Sequence, residues 1–329
     1  MRTRRAQFVL GWNGTASSDR LTEAADGITY TDPASGEADS IDININDRDR
    51  KWISAWMPSA GDTMTAKIKL QDWEREGDNR VLSCGFFVMD SFAFSGWPTA
   101  GTISGVSTPA DSSFMATERS KIWENITIKE IAAEVASRAG ISLFWDAGGV
   151  DFRIKTIEQS KQTDSDFLMG LCTTYGLSMK VYSQKIVIFD REQYKQKPSA
   201  MTLYASDLES WNWSSNLAET YTGGEFTYTD PRTEAEIVAK VGGGSRIFKD
   251  SGKADSTADA ERKIKASVAN ANHGSTKMSV VILGNARLYA GQCVDIAGLG
   301  KMSGKYYIDK VTHTIGSGYT MSLELSLVE

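Results

Sequence analysis

Histidine and cysteine are scarce in this chain, and positive charge does not prevail. The two histidines, His273 and His313, stand 40 residues apart, with no cysteine or carboxylate at ligand spacing around them. The usual makings of a metal centre are therefore missing. The three cysteines, Cys84, Cys172 and Cys293, are far apart and odd in number, and each lies in an apolar-patterned segment. Buried reduced thiols are expected, rather than a disulfide framework or a nucleophile. The net charge is −6 and the pI about 5.2. That excludes the basic face a dedicated nucleic-acid binder needs to displace counterions, and a polybasic membrane anchor with it. No apolar run approaches the ~20 residues that span a bilayer. Arg2, Arg4 and Arg5 could open a secretory leader, but only Phe8, Val9 and Leu10 follow before Gly11. That run is too short for a leader, so folding in the cytoplasm is expected.

Catalytic signatures are equally thin. Gly242-Gly243-Gly244-Ser245 lacks the phosphate-loop order and its lysine, and reads as a flexible hinge. No G-x-S-x-G elbow is present. Carboxylates are plentiful and there are nine tryptophans, which leaves a glycosidase-like pair or a sugar-stacking surface open. The tryptophans are scattered through strand and turn patterns, however. Core or subunit-interface packing is the expected role, with Trp52, Trp56, Trp211 and Trp213 as interface candidates.

What is present is β patterning. At 329 residues, two or three domains are expected. Over the first hundred residues Ile41, Ile43 and Ile45 alternate with Asp42, Asn44 and Asn46, and Met64, Ala66, Ile68 and Leu70 alternate with Thr65, Lys67 and Lys69. Cys84, Phe86 and Val88 form a third series, and turn signals such as Ser35-Gly36, Ser59-Ala60-Gly61-Asp62 and Gly77-Asp78-Asn79 fall between. This spacing predicts a sandwich or barrel. After Pro109 the pattern changes. Thr127 and Glu130 make a capping box before Ile128, Ile131, Ala132, Val135 and Ala139, with Gly140 as the stop. Thr163 can cap a second helix carrying Phe167, Leu168, Leu171, Cys172 and Tyr175, stopped by Gly176. Strands follow each: 141–145, then 177–182 and 185–189 joined at Ser183-Gln184. A small α+β domain of order α-β-α-β-β is predicted. β character returns from Met201. A third helix follows the glycine run, with Ser256 and Asp259 as caps and Ala260, Ile264 and Val268 on one face. His313 reads as a wall residue of a strand, and His273, beside Gly274, as solvent-exposed. Thr29-Tyr30-Thr31-Asp32-Pro33 recurs as Thr227-Tyr228-Thr229-Asp230-Pro231. This is either a strand running twice into an Asp-Pro turn or a trace of two related β regions. In the closing strand Met321, Leu323, Leu325 and Leu327 share one face, and Thr320, Ser322, Glu324 and Ser326 the other.

The final module runs Gly284-Asn285-Ala286-Arg287-Leu288-Tyr289-Ala290-Gly291-Gln292-Cys293-Val294-Asp295-Ile296, then Gly304-Lys305-Tyr306-Tyr307-Ile308-Asp309-Lys310-Val311-Thr312-His313, then Gly318-Tyr319-Thr320-Met321. It resembles the C-terminal pattern of the phage late-control D family, the baseplate hub proteins of contractile-tailed phages and phage tail-like particles. Arg119 to Ile128, Asp164 to Leu168 with Tyr175-Gly176, and Gly36 to Ile43 with Trp52, Pro58 and Gly61-Asp62 resemble the family's other segments, in the same order. The hub part of type VI secretion spike proteins is similar.

The resemblance implies an α+β, mainly β fold with two tube-like antiparallel β-barrels and a small α+β domain between them. On this chain the first barrel would be residues 1–103 and the α+β domain 104–200, with a helical insert at about 242–274 packing on it. The second barrel would be 201–241 with 275–329. It implies a structural, non-enzymatic protein with no catalytic, cofactor-binding or metal-binding residues. Its place would be the virion, in the tail baseplate, after assembly in the host cytoplasm. It would form a homotrimeric ring that adapts the six-fold tail tube above to the three-fold central spike below. Further partners would be the tail tube or a tube-initiator protein and baseplate wedge proteins, with DNA only as cargo through the lumen and no membrane anchor. Some tail hubs carry a fused lysozyme or peptidase domain, and none would be expected here after the last barrel. An acidic or neutral lumen is expected, since a polyanion then slides rather than sticks. The polar residues of the closing strand would face either lumen or neighbour. The alternative function is a cell-wall (peptidoglycan) degrading or glycan-binding tail protein.

Overall fold

In this computed structural model, residues 3–328 are described, apart from 14–17, 60, 110–112, 149–151, 217, 219 and 231–233. Arg2, Ala60, Pro231 and Glu329 lie outside the described residues. The N-terminal third holds β1 (Arg5–Trp12), α1 (Ser18–Ala24), β2 (Ala25–Pro33), β3 (Ser40–Asn46), β4 (Thr63–Gln71), β5 (Arg80–Ser95) and β6 (Ala100–Val106). Alternation does here what period two dictates. β3 buries Ile41, Ile43 and Ile45 and exposes Asp42 and Asn44, and β4 buries Met64, Ala66, Ile68 and Leu70.

The middle of the chain holds α2 (Ser113–Ala116), β7 (Glu118–Thr127), α3 (Ile128–Arg138), β8 (Ser142–Asp146), β9 (Arg153–Thr163), α4 (Asp164–Thr174), β10 (Leu177–Tyr182), β11 (Lys185–Asp190) and α5 (Arg191–Gln196). The capping box forms: the Glu130 N–H donates to Thr127 Oγ1, and the Thr127 N–H donates to the Glu130 carboxylate. Thr163 caps α4 in the same way, accepting from Asp166 N–H. Both helices pack on the sheet β10-β11-β8 around one core that includes Ile131, Val135, Leu168 and Ile188. The two-stranded antiparallel sheet β7–β9, whose strands flank α3 and β8 in the chain, is an element the sequence patterning did not predict. Its strands alternate poorly because they present mainly charged side chains to solvent.

The remainder holds β12 (Thr202–Tyr204), β13 (Leu208–Ser215), β14 (Gly223–Thr229), β15 (Glu236–Gly242), β16 (Ile247–Ser251), α6 (Thr257–Asn272), β17 (Thr276–Leu283), β18 (Cys293–Ala297), β19 (Gly304–Ile315) and β20 (Tyr319–Leu327). Two expectations are corrected here. First, the stretch 201–241 does not stay together. β12 and β13 join the large sheet, whereas β14 and β15 pair with β16 in a separate three-stranded sheet under α6. Gly224 is the reason: a Cβ there would stand 2.5 Å from Ile264, so its absence lets α6 lie directly on β14. The first echo ends β2, whereas Thr227 to Thr229 of the second lie on β14, in the other sheet. Second, the strands do not form two separate closed barrels. One twelve-stranded sheet runs β1-β4-β5-β6-β3-β2-β19-β20-β17-β13, with β12 and β18 branching from β19. The two ends of the chain meet inside it, where β2 pairs antiparallel with β19.

α6 also touches the middle region. Tyr175 donates to Asp259 Oδ1 at 3.0 Å, Lys155 N–H donates to Asp255 Oδ2 at 2.8 Å, and Ala266 sits against Gly176.

Candidate functional site

The residues that chemistry would use are committed to packing. All three thiols are buried and free. Burial raises their pKa, that of Cys172 to about 12. His313 lies in β19 with its Nδ1 2.9 Å from the Tyr319 hydroxyl, and burial lowers its pKa to about 4. His273 is not the solvent-exposed loop residue expected. It is partly buried, with Nε2 2.7 Å from Asp309 Oδ1. Ser326 Oγ donates to the other oxygen of Asp309. Serine and histidine thus share one carboxylate instead of bonding to each other, so the histidine cannot take the serine's proton as nucleophilic catalysis requires. Among the described residues no group of three His, Cys, Asp or Glu could hold a metal ion. Of the tryptophans proposed for an interface, Trp52 is buried and stacked 5.2 Å from Trp12, which corrects that expectation. Trp56 packs edge-on against Trp52, and Trp213 is half-buried, whereas Trp211 stays 46% exposed.

A buried ionic knot fastens the middle region to the sheet. Lys180 of β10 reaches Asp32 at the end of β2, Asp39 Oδ1 at 2.9 Å and the Pro33 carbonyl at 3.1 Å. The Tyr30 hydroxyl donates to Asp39 Oδ2 at 2.6 Å, and the Ala290 N–H donates to Asp32 Oδ2 at 2.9 Å. Three stretches remote in sequence therefore converge on two carboxylates. Burial pushes Asp39 up to about 7, with Asp32 adding to the rise and Lys180 opposing it. Burial works against the Lys180 charge, but Asp32 and Asp39 outweigh it and its pKa rises. Ser183 N–H to Ser107 Oγ, Tyr182 hydroxyl to the Ser83 carbonyl and Gly36 N–H to the Met179 carbonyl complete the seam. A cleft of about 620 Å³ opens beside it, lined by Phe144, Tyr182, Val187, Leu288 and Tyr289 among others. Besides the knot its walls carry Lys185, Lys197, Cys293 and His313.

The large sheet repeats one strand set in its first and last β regions, on residues other than the Asp-Pro echo. β2, β3, β4, β5 and β6 stand in the order β4-β5-β6-β3-β2, and β13, β17, β18, β19 and β20 stand in the order β18-β19-β20-β17-β13. Chain order and sheet order both match, and every pairing within each set is antiparallel. Irregularities coincide too. The bulge at Asp90 in β5 corresponds to that at Asp309 in β19, and the one at Asp26 in β2 to that at Glu209 in β13. Gly61 and Gly291, with φ of 88° and 92°, stand two residues before equivalent strand starts. The bonds Met89 N–H to Asp62 carbonyl and Ile308 N–H to Gln292 carbonyl, both 2.8 Å, are counterparts. The outermost strands break the match, β1 pairing antiparallel with β4 and β12 parallel with β18, and the irregularity at Cys84 in the β4–β5 ladder has no counterpart in β18–β19. In sequence the sole traces are Val88-Met89-Asp90 beside Tyr307-Ile308-Asp309 and the paired glycines, too little to find without the registers.

The comparisons with known proteins agree with this architecture. A family model described as YQBQ-like matches residues 246–326. The chain is 23% identical to the probable baseplate hub protein of Escherichia phage 186, over 97% of this chain and 92% of that one. Among solved structures, the 43 kDa tail protein of prophage MuSo2 from Shewanella oneidensis superposes with a TM-score of 0.74 at 14% identity, over 98% of both chains. A component of the E. coli type VI secretion system superposes at 0.59 and 10% identity, over 93% of this chain and 74% of that one. At such identities the two structures show a shared fold. By sequence the chain is a relative of phage baseplate hub proteins, and by fold it stands with phage tail and type VI secretion proteins.

Proposed function

We propose that this relative of the baseplate hubs forms a homotrimeric ring that adapts a six-fold tail tube to a three-fold central spike. The duplication carries the reading. Each chain holds two copies of one five-stranded set, so a ring of three chains presents six similar sets on one side while remaining three-fold on the other. Each set would curl into a tube-like barrel once neighbours flank it, over residues 1–103 and over 201–215 with 275–329. The middle region and the α6 unit would sit outside the ring. The ionic knot suits this role, since it holds that outer part rigidly against the sheet.

The sheet's exposed face supports a passage for DNA as cargo. It carries Asp42, Asn44, Thr102 and Ser104 in one set and Ser322 and Glu324 in the other, with Ser104 Oγ donating to Asp42 at 2.5 Å. This surface is polar and of mixed charge, since it also carries Lys67 and Lys69 of β4, Lys277 of β17 and Lys310 opposite Glu324. The polar residues of β20 would then face the lumen. The partners follow from the ring: a spike below, a tube or tube-initiator protein above, and wedge proteins outside, in a baseplate assembled in the host cytoplasm. The role is structural. The cell-wall-degrading alternative is not favoured, because the curated relatives are named probable baseplate hub proteins.

Light scattering of the purified chain tests the ring. The expected mass is three times 36.0 kDa. A clean monomer, with or without its spike, refutes it.

A further inference from the structure

β2 and β13 hold equivalent places in the two sets, yet their surroundings differ. Ile28 and Tyr30 in β2 are 1% and 3% exposed, whereas their counterparts Trp211 and Trp213 in β13 are half-exposed and half-buried. The cause is a missing neighbour. β2 has β3 on one side and β19 on the other, while β13 pairs with β17 alone. The distal half of β5 is the mirror case. Its counterpart in β19 is flanked by β20 and β2, but Ser91 to Ser95 have only β6 beside them, and Phe92 is 37% exposed. β13 and the distal half of β5 are thus open edges that carry unpaired backbone groups and large apolar side chains. Such edges are ready templates for another strand. Each lacks the partner that its counterpart has within the chain.

We propose that β13 of one copy pairs antiparallel with Ser91–Ser95 of β5 in a neighbouring copy, repeating between chains the β2–β19 junction within the chain. The inference rests on the ring reading above and adds its contact and register. Within the chain Thr31 stands opposite Thr312 and Tyr30 opposite His313, their rings stacked at 5.6 Å and 8°. The bulge-anchored equivalences convert these to Ser214 opposite Ala93 and Trp213 opposite Phe94. Ser215 then meets Phe92, and Asn212 meets Ser95. The apolar members fall on the core side, and Ala93, Ser95, Asn212 and Ser214 on the polar face. A second copy of this chain is the fitting occupant, because both the empty edge and the strand that fills its counterpart are the chain's own.

The test is a cysteine pair, Ala93→Cys with Ser214→Cys, in the full-length chain, whose native thiols are buried. Mild oxidation is expected to convert most of the protein to covalent dimer and trimer, reversed by reductant. Each single variant should stay uncoupled. Ala93→Cys with Ser210→Cys, displaced four residues or roughly 13 Å along the strand, should give about a tenth of the product or less. A trimer by mass that cross-links in neither register, or equally in both, overturns the pairing and leaves the ring standing. A monomer that cross-links in neither overturns both. A charge swap covers the case in which the cysteines disturb folding. Ser95→Glu with Asn212→Glu should weaken trimerisation about tenfold, and Ser95→Lys with Asn212→Glu should restore it. Equal affinity for the two pairs also overturns the register.

Discussion

Lys180→Met isolates the contribution of the ionic knot. Methionine keeps the apolar stem and removes the ammonium, so packing changes little while Asp32 and Asp39 lose their shared cation. Both carboxylates are buried, with side chains 7% and 0% exposed, and Lys180 itself is 12% exposed. Removing one partner of such a buried pair costs about 3–5 kcal/mol, because the remaining charge stays behind in a poor solvent. The pH dependence separates this cause from simple packing loss. The Asp39 pKa is already about 7 in the native chain, so the folded state holds a proton that the unfolded carboxyl, near 3.8, has lost. Stability from this group is therefore present at low pH and declines as pH rises through that window. Without Lys180 the window extends upward, and the deficit of Lys180→Met should grow between pH 5 and pH 8. Adding Asp39→Asn should recover part of it at pH 8, since Tyr30 can still donate to the amide oxygen. Urea titrations at both pH values measure the effect. A deficit below about 1 kcal/mol, or one equal at the two pH values, would refute the reasoning.

Three further outcomes follow from single contacts. His313 is neutral when folded and charges near pH 6.5 when unfolded, so its own contribution should fall by about 3 kcal/mol as pH drops from 6.5 to about 4, against the gain from Asp39 over the same window. His313→Phe, which copies the equivalent Phe94, should flatten that acid limb while costing about 1–3 kcal/mol at neutral pH for the Tyr319 hydroxyl left unpaired; an unchanged acid limb in thermal scans counts against it. Thr127→Ala should lose about 0.5–2 kcal/mol through the cap of α3, readable by amide exchange confined to that helix. Gly284→Ala should cost about 1–3 kcal/mol, since its Cβ would lie 2.2 Å from the Tyr319 ring and would disturb the Trp73 Nε1 bond to the Gly284 carbonyl; wild-type stability would show that the ring moves aside freely.

Local order was legible from local residues. The capping box of α3, the Thr163 cap of α4, the glycine stops and the alternating strands β3, β4 and β20 appear where period and cap chemistry place them, because these signals act over fewer than ten residues. The closing strand shows the limit of that logic. Met321, Leu323 and Leu325 are buried as their period demands, yet Ser326, on the polar face, is 1% exposed because Asp309 accepts its hydroxyl. His273 was misplaced for the same reason, since its partner Asp309 lies 36 residues away.

The sequence by itself determined the mainly β character, the helix ends, the buried thiols and the absence of a recognisable catalytic motif. Its colinear motifs also pointed to the hub family. Only the tertiary structure decided that β14 and β15 leave the large sheet for α6, that three remote stretches share one ionic knot, and that two strand sets repeat with the same bulges. The physical reason is that strand pairing is made by backbone groups, which every residue carries alike. Side-chain period says which face a strand buries, but its neighbour is chosen by packing across the whole chain, and the unfilled edges at β5 and β13 become visible only when every other pairing has been assigned.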